Sequence, residues 1–187
     1  MTFALGNERI SYEDLVQIIV WTLPTGIPVL SFYDHKNELN PDKLQDLFIE
    51  HYPQLHFHIK WGVSFSNNLE EESSKKHDLQ VNVLTSKHGR QLLIDSIQEL
   101  YHKKDVTLSD RAATEAALDD IMYSKLANSG SPDFLVISGN VYTTYGLSPW
   151  HLTFTEFLTI PSYKLLKTTD YNQILSTFAN CEQKFGR

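Results

Sequence analysis

Residues 132–157 read PDFLVISGNVYTTYGLSPWHLTFTEF. The apolar run Phe134–Ile137 stops at Ser138-Gly139-Asn140, and a new element opens at Ser148-Pro149-Trp150. That succession predicts a buried strand, a turn at its carboxyl end and then a helix, with Ser148 as N-cap and Pro149 in the first helical position. Trp150, Phe154 and Phe157 are spaced to share a face of that helix, and Glu156 lies beside them, where a carboxylate has to be paired or exposed. In open α/β sheets ligands bind in the crevice outside the carboxyl ends of the strands, so chemistry is expected in the loop 138–147. Yet the whole stretch holds no Lys or Arg, and its ionisable groups are Asp133, Tyr142, Tyr145, His151 and Glu156.

Working outward, a short strand is expected at Thr2–Leu5, followed by a helix capped by Ser11 with Glu13 and Asp14 in its first turn. Leu15, Ile18, Ile19 and Thr22 form one face of that helix while Val16, Val20, Trp21 and Leu23 cover the others, so it is predicted to be largely buried. The segment Pro24–Pro28 ends it, Val29–Tyr33 reads as a strand, and Asn40-Pro41-Asp42 marks the next helix start. Phe57–Phe65 alternates apolar and polar residues and predicts a half-buried strand. Ser66–Asp78, with Glu70 to Glu72, reads as a solvated, flexible loop. Leu79, Val81 and Val83 mark another strand, and helices are expected through Leu92–Leu100, from a Ser109 cap to Leu126, and over Asp170–Phe185. Strands alternating with helices argue for an α/β fold with a central, mostly parallel sheet covered by helices on both faces. No repeat or second composition zone appears, so residues 1–187 are expected to form one domain.

A formal charge of −7 without clustered cations argues against a nucleic-acid partner, because phosphate neutralisation needs grouped Lys and Arg. The single cysteine, Cys181, excludes an intrachain disulfide. No stretch of about 18 apolar residues is present that would span a membrane. His56 and His58, with His51 upstream, have a spacing that can serve zinc, but no third ligand stands at motif spacing, so a polar strand face is the favoured reading and no metal is assigned. Ser138-Gly139 lacks the pattern of a hydrolase elbow, no phosphate-binding glycine motif occurs, and Gly89-Arg90 before a helix is read as a turn.

Taken together, Pro132-Asp133-x-Leu135, Trp150-His151 and Thr155-Glu156 resemble the carboxyl-terminal signature of cis-prenyltransferases. Leu147–Thr153, Leu158–Ser162 and the ending Cys181–Arg187 are similar to the non-catalytic, Nogo-B receptor-type subunit of eukaryotic dehydrodolichyl diphosphate synthase. So are Ser11–Leu15 with Val20-Trp21, and Tyr33-Asp34-His35. The resemblance implies a cis-prenyltransferase-like domain that pairs with a catalytic cis-prenyltransferase subunit through Trp150, His151, Phe154, Glu156 and Phe157. The complex it implies condenses isopentenyl diphosphate onto an allylic diphosphate at the partner's site, with Mg2+ held mainly by that partner. The product feeds dolichol synthesis and protein glycosylation. The implied location is the cytosolic face of the endoplasmic reticulum membrane, reached through a segment absent from this chain.

The departures from the catalytic pattern are as informative. Leu5 stands where catalytic members carry the Asp of an Asp-Gly-Asn motif, and Ile137 and Thr143 stand at the places of two arginines. Each charged hydrogen bond from Arg to a diphosphate is worth about 1.5–3 kcal/mol, and a loop without cations supplies none of them. The resemblance therefore implies no catalytic residue on this chain alone. It places the chain's own contribution in the tail, where Lys184, Phe185 and Gly186 match an Arg-x-Gly whose main-chain N–H groups meet the substrate diphosphate in the partner. Lys184 keeps the charge of that Arg but not its bidentate fork, and Gly186 permits close backbone approach to an anion. Two alternatives stay open at this point, namely a divergent homodimeric cis-prenyltransferase and a lipid- or protein-binding module that uses the emptied cleft. Self-association of the isolated chain is also left open.

Overall fold

A computed structural model describes residues 1–66, 77–102, 110–126 and 130–181. Six strands, β1 (Thr2–Ala4), β2 (Val29–Asp34), β3 (Ile59–Trp61), β4 (Leu79–Thr85), β5 (Phe134–Ser138) and β6 (Glu156–Ile160), form one sheet in the order β3-β4-β2-β1-β5-β6. Every pair in it is parallel. Among the described residues the α-helices are α1 (Tyr12–Thr22), α2 (Pro41–His51), α3 (Arg90–His102), α4 (Arg111–Lys125) and α5 (Thr168–Ala179).

Period-two alternation along the strands divides the core into two layers. Phe3, Leu30, Phe32, Val81, Val83, Phe134 and Val136 meet Leu15, Ile18, Ile19, Leu44, Phe48, Tyr171 and Ile174 of α1, α2 and α5 on one face. Ala4, Tyr33, Leu84, Leu135 and Ile137 meet Leu92, Leu100, Leu118, Ile121 and Met122 of α3 and α4 on the other. Central strands buried on both sides read as continuous apolar runs, which is why FLVI at 134–137 carried the fold so clearly.

Sequence signals held best where local chemistry decides. Asn40 accepts the Lys43 N–H at 3.0 Å and Pro41 opens α2. Ser11 caps α1 by position, although its hydroxyl turns to the Asp14 carboxylate. The cap of α4 is Asp110, which accepts the N–H groups of Ala112 and Ala113; the expected cap Ser109 lies outside the described residues, as do most of the expected flexible loop and the tail from residue 182.

Three expected elements are corrected. The helix expected over Trp150–Phe157 is a four-residue 3-10 turn, Pro149–Leu152, followed by β6, so Glu156 and Phe157 lie on a strand. The chain is fastened there by Thr155 Oγ1 to the Pro132 carbonyl (2.6 Å) and by the Glu156 N–H to the Asp133 carbonyl (2.9 Å), which set the register of β6 on β5. The strand expected over Phe57–Phe65 shrinks to Ile59–Trp61. His56–His58 form a 3-10 turn that leaves Phe57 75% exposed, and beyond Trp61 the Val63 N–H is taken by the Asn82 side chain (3.0 Å). Finally α5 ends at Ala179 with Asn180 as its cap, well short of Phe185.

Candidate functional site

From β1 the chain moves to β2, then to the edge strand β3 and back to β4 on one side, whereas from β5 it moves to β6 on the other. The connections thus part between β1 and β5, and the crevice at the carboxyl ends of these two strands is where an α/β sheet binds its ligand. Gly6 (φ 65°) leaves β1 so close to β5 that a Cβ on it would lie 2.2 Å from the Ser138 carbonyl oxygen. Only glycine permits that approach.

The crevice is not empty. The Glu8 carboxylate accepts the Ser138 hydroxyl on one oxygen and the Ser162 hydroxyl on the other, both at 2.6 Å. Those hydroxyls are oriented in turn by the N–H groups of Tyr163 (2.8 Å) and Lys164 (3.0 Å), which they accept. The Lys36 ammonium is turned to the Glu8 main-chain carbonyl (2.9 Å) and the Glu38 carboxylate (2.8 Å). Tyr145, at a left-handed φ of 52°, has its carbonyl held by the Tyr33 hydroxyl (3.0 Å) and its ring stacked on His35 at 4.8 Å. Its own hydroxyl lies 3.2 Å from where a Cβ on Gly6 or Gly139 would stand. The loop is tied down beyond it by the Arg90 N–H to the Gly146 carbonyl (3.2 Å) and by a bridge between Gly89 and Leu147.

A carboxylate and a phenol therefore fill the cleft that the missing cations would leave empty, because long-range partners close it. A substrate phosphate brought within about 4 Å of Glu8 would meet a repulsion on the order of 4 kcal/mol per pair of unit charges at an effective dielectric near 20. Magnesium is no better served. Leu5 is fully buried, and the Asp34 carboxylate is taken by the N–H groups of Lys36, Glu38 and Leu39. Among the described residues no group of three His, Cys, Asp or Glu side chains could hold a metal ion. His58 pairs with Asp78 (2.6 Å) and His56 accepts the Trp61 indole N–H (3.4 Å), so the two imidazoles have separate structural partners.

Tyr163 ties the floor of the crevice together. Fully buried, it accepts the Ser11 N–H (3.0 Å) and donates to the Arg9 carbonyl (3.2 Å), and burial pushes its phenol up to about 12. Tyr163→Phe leaves both backbone groups without this partner. The expected cost is about 1–3 kcal/mol, read as a lower urea midpoint at unchanged slope.

Of the other residues singled out from sequence, Trp150 is half-buried and donates its indole N–H to Asp119 at 2.6 Å. It borders a groove of about 860 Å³ with Leu93, Arg111, Glu115 and Phe154, and a smaller apolar cavity of about 300 Å³ between α3 and α4. Phe154 is 65% exposed and Phe157 37% exposed. On β6, Leu158 and Ile160 turn toward the α1–α2–α5 layer, so Phe157, by alternation, lies on the α3–α4 face. Its neighbour there is the Tyr142 ring at 6.3 Å. Glu156 is half-buried opposite Phe134, and His151 belongs to the 3-10 turn. Lys184, Phe185 and Gly186 lie outside the described residues.

Among solved structures, the chain superposes on a probable undecaprenyl diphosphate synthase from Campylobacter jejuni with a TM-score of 0.67, 16% identity, and coverage of 99% of this chain and 96% of that one. It superposes equally on lavandulyl diphosphate synthase from Lavandula x intermedia (TM-score 0.68, 15% identity, 100% and 97% of the two chains). This is the cis-prenyltransferase fold. At the level of sequence the chain is 27% identical over 184 residues to the human dehydrodolichyl diphosphate synthase complex subunit NUS1, covering 95% of this chain and 62% of that protein. The corresponding subunit of Saccharomyces cerevisiae is 22% identical over 205 residues, covering 94% and 53%. The resemblance read from the motifs is thus borne out along nearly the whole chain, which spans about 62% of the length of the human relative. No family model matches the sequence. Among the described residues no helix is long and apolar enough to cross a membrane.

The residues that sequence reasoning missed are Glu8 as an occupant of the crevice, its donors Ser138 and Ser162, and Tyr145 as the ring that covers it. Only Glu8 gave a local signal, a carboxylate two residues beyond a strand-end glycine, and its donors stand 130 and 154 residues away.

Proposed function

We propose that this chain is an accessory subunit of a dehydrodolichyl diphosphate synthase complex, without prenyl-transfer activity of its own, pairing with a catalytic cis-prenyltransferase subunit. The observation that carries the reading is the Glu8 carboxylate, held by Ser138 and Ser162 in the crevice where a catalytic relative would receive a diphosphate. In this reading isopentenyl and allylic diphosphates and Mg2+ belong to the partner's site, and the complex sits at the endoplasmic reticulum membrane.

The course of α5 supports a tail that acts elsewhere. The helix begins near the start of α1, where the Leu165 N–H meets the Asp14 carboxylate at 3.1 Å. It ends with Phe178 stacked at 4.7 Å on Phe134, the first residue of β5. The described chain thus ends, at Cys181, on the side of the amino ends of the strands, opposite its own crevice. The exposed Phe157 on the edge strand, with Phe154 and Trp150 nearby, supports pairing on the α3–α4 face.

The test is prenyl transfer measured with the purified chain alone and after mixing with a catalytic cis-prenyltransferase subunit. No product is expected from the chain alone and a marked stimulation from the mixture; product from the chain alone overturns the reading. Phe157→Glu places a charge on the proposed contact and is expected to weaken pairing about tenfold or more, the scale of a buried aromatic anchor, while the midpoint of thermal unfolding of the isolated chain stays within about 2 °C, as for a surface change. Co-purification of the two subunits together with thermal unfolding reads both effects.

A further inference from the structure

We propose that Glu8 and Tyr145 act as a built-in occupant, holding shut an anion site that the crevice otherwise retains. The inference deepens the accessory-subunit reading and rests on it for its biological sense. Its geometry stands by itself. Two serine hydroxyls, each fixed by a backbone N–H that it accepts, converge at 2.6 Å on the two oxygens of one carboxylate. That is the arrangement in which an oxyanion of a ligand would be held, and here the chain supplies the oxyanion itself. The site lies between glycine-opened strand ends at the point where the sheet connections diverge.

Tyr145 covers the remainder. Its ring lies on His35, and its hydroxyl stands 3.2 Å from where a Cβ on Gly6 or Gly139 would be, closing the space above both glycines. Beneath that ring the His35 Nδ1 is buried without a hydrogen-bond partner. A buried ring nitrogen with no partner is costly, and an anion entering beside it would accept a hydrogen bond from that nitrogen in its N–H tautomer. Removing the carboxylate frees the two hydroxyls, and removing the ring uncovers the imidazole. The ligand class that matches these groups is a diphosphate, for which inorganic pyrophosphate is the probe. In the native chain the occlusion would keep substrate diphosphate from being sequestered by the subunit that does not turn it over.

The experiment is pyrophosphate titration of the full chain by calorimetry and phosphorus NMR, for the native sequence, Glu8→Ala, Tyr145→Ala and the double variant. Circular dichroism and thermal unfolding confirm that each is folded. The double variant is expected to bind about tenfold or more tightly than the native chain, a difference well outside titration error. Adding Ser162→Ala to the double variant should remove most of that gain. Glu8→Gln, which removes the charge and keeps one acceptor oxygen for a serine hydroxyl, serves if Glu8→Ala does not fold and is expected to show a smaller gain in the same direction. Native and folded double-variant chains with indistinguishable affinity, whether both bind or neither does, overturn the proposal. The accessory reading fails on a separate result, prenyl transfer by the native chain alone, so the two failures are distinguishable.

Discussion

Asp34→Ala is expected to lower the midpoint of thermal unfolding by roughly 8–16 °C, the scale set by about 4 kcal/mol in a chain of this size. Asp34 ends β2 with its side chain fully buried. One carboxylate oxygen accepts the Lys36 N–H at 2.9 Å, and the other accepts those of Glu38 (2.6 Å) and Leu39 (2.8 Å). Alanine removes three acceptor contacts at once. A buried donor left without a partner costs about 1–3 kcal/mol, but the Lys36 and Glu38 ends of the loop reach water and recover part of it, so the sum is expected near 3–5 kcal/mol. Asp34→Asn keeps one acceptor oxygen and turns an amide toward N–H groups, and an intermediate loss is expected. The loop so loosened carries His35, the platform for Tyr145, so the crevice is expected to lose its cover with the stability. Circular dichroism melts check the prediction, and a shift below about 3 °C, under 1.5 kcal/mol at this size, contradicts it.

The same contrast between local and distant chemistry explains what could be read beforehand. Strands β1, β2, β4 and β5 and helices α1 and α2 were legible because their signals are local: apolar runs of four or five residues, an Asn-Pro start, an amphipathic period. The segment 150–157 was misread because aromatic spacing at 150, 154 and 157 also suits a helix, and the decisive bonds run to Pro132 and Asp133. Phe57–Phe65 failed for a similar reason, since the alternation is real but beyond Trp61 the Val63 N–H turns to the side chain of Asn82 on the neighbouring strand. As for the site, the strand-end loop without cations pointed to the crevice at the carboxyl ends of β1 and β5. What fills that crevice follows from tertiary closure that places Glu8 between Ser138 and Ser162, and no periodicity reports on that. The catalytic departures at Leu5 and Ile137 were visible one residue at a time, and both prove fully buried in the apolar layers.

Removing residues 184–187 is expected to leave folding and pairing nearly unchanged while abolishing most stimulation of a catalytic partner. The four residues are Lys, Phe, Gly and Arg, beyond a helix that ends at Ala179. Stability is expected to be indifferent to their loss because the packing of α5 on the sheet is made before them: Tyr171 and Ile174 are its buried residues, and Phe178 meets Phe134. Stimulation is expected to collapse because, in the proposed tail contact, main-chain N–H groups bonded to a diphosphate are charge-assisted, worth about 1.5–3 kcal/mol each, so losing one or two of them costs on the order of 10–10,000-fold. The backbone and side-chain contributions separate by substitution. Lys184→Ala removes a charge on a flexible stem, whose contribution is screened by salt, and a loss of roughly threefold is expected at physiological ionic strength. Gly186→Val instead hinders the close approach of the backbone to the anion and is expected to approach the effect of the full deletion. Prenyl transfer by the mixed subunits, with co-purification as the control for pairing, reads all three variants. A trimmed chain that pairs and stimulates normally would place the subunit's contribution in the α3–α4 face rather than in the tail.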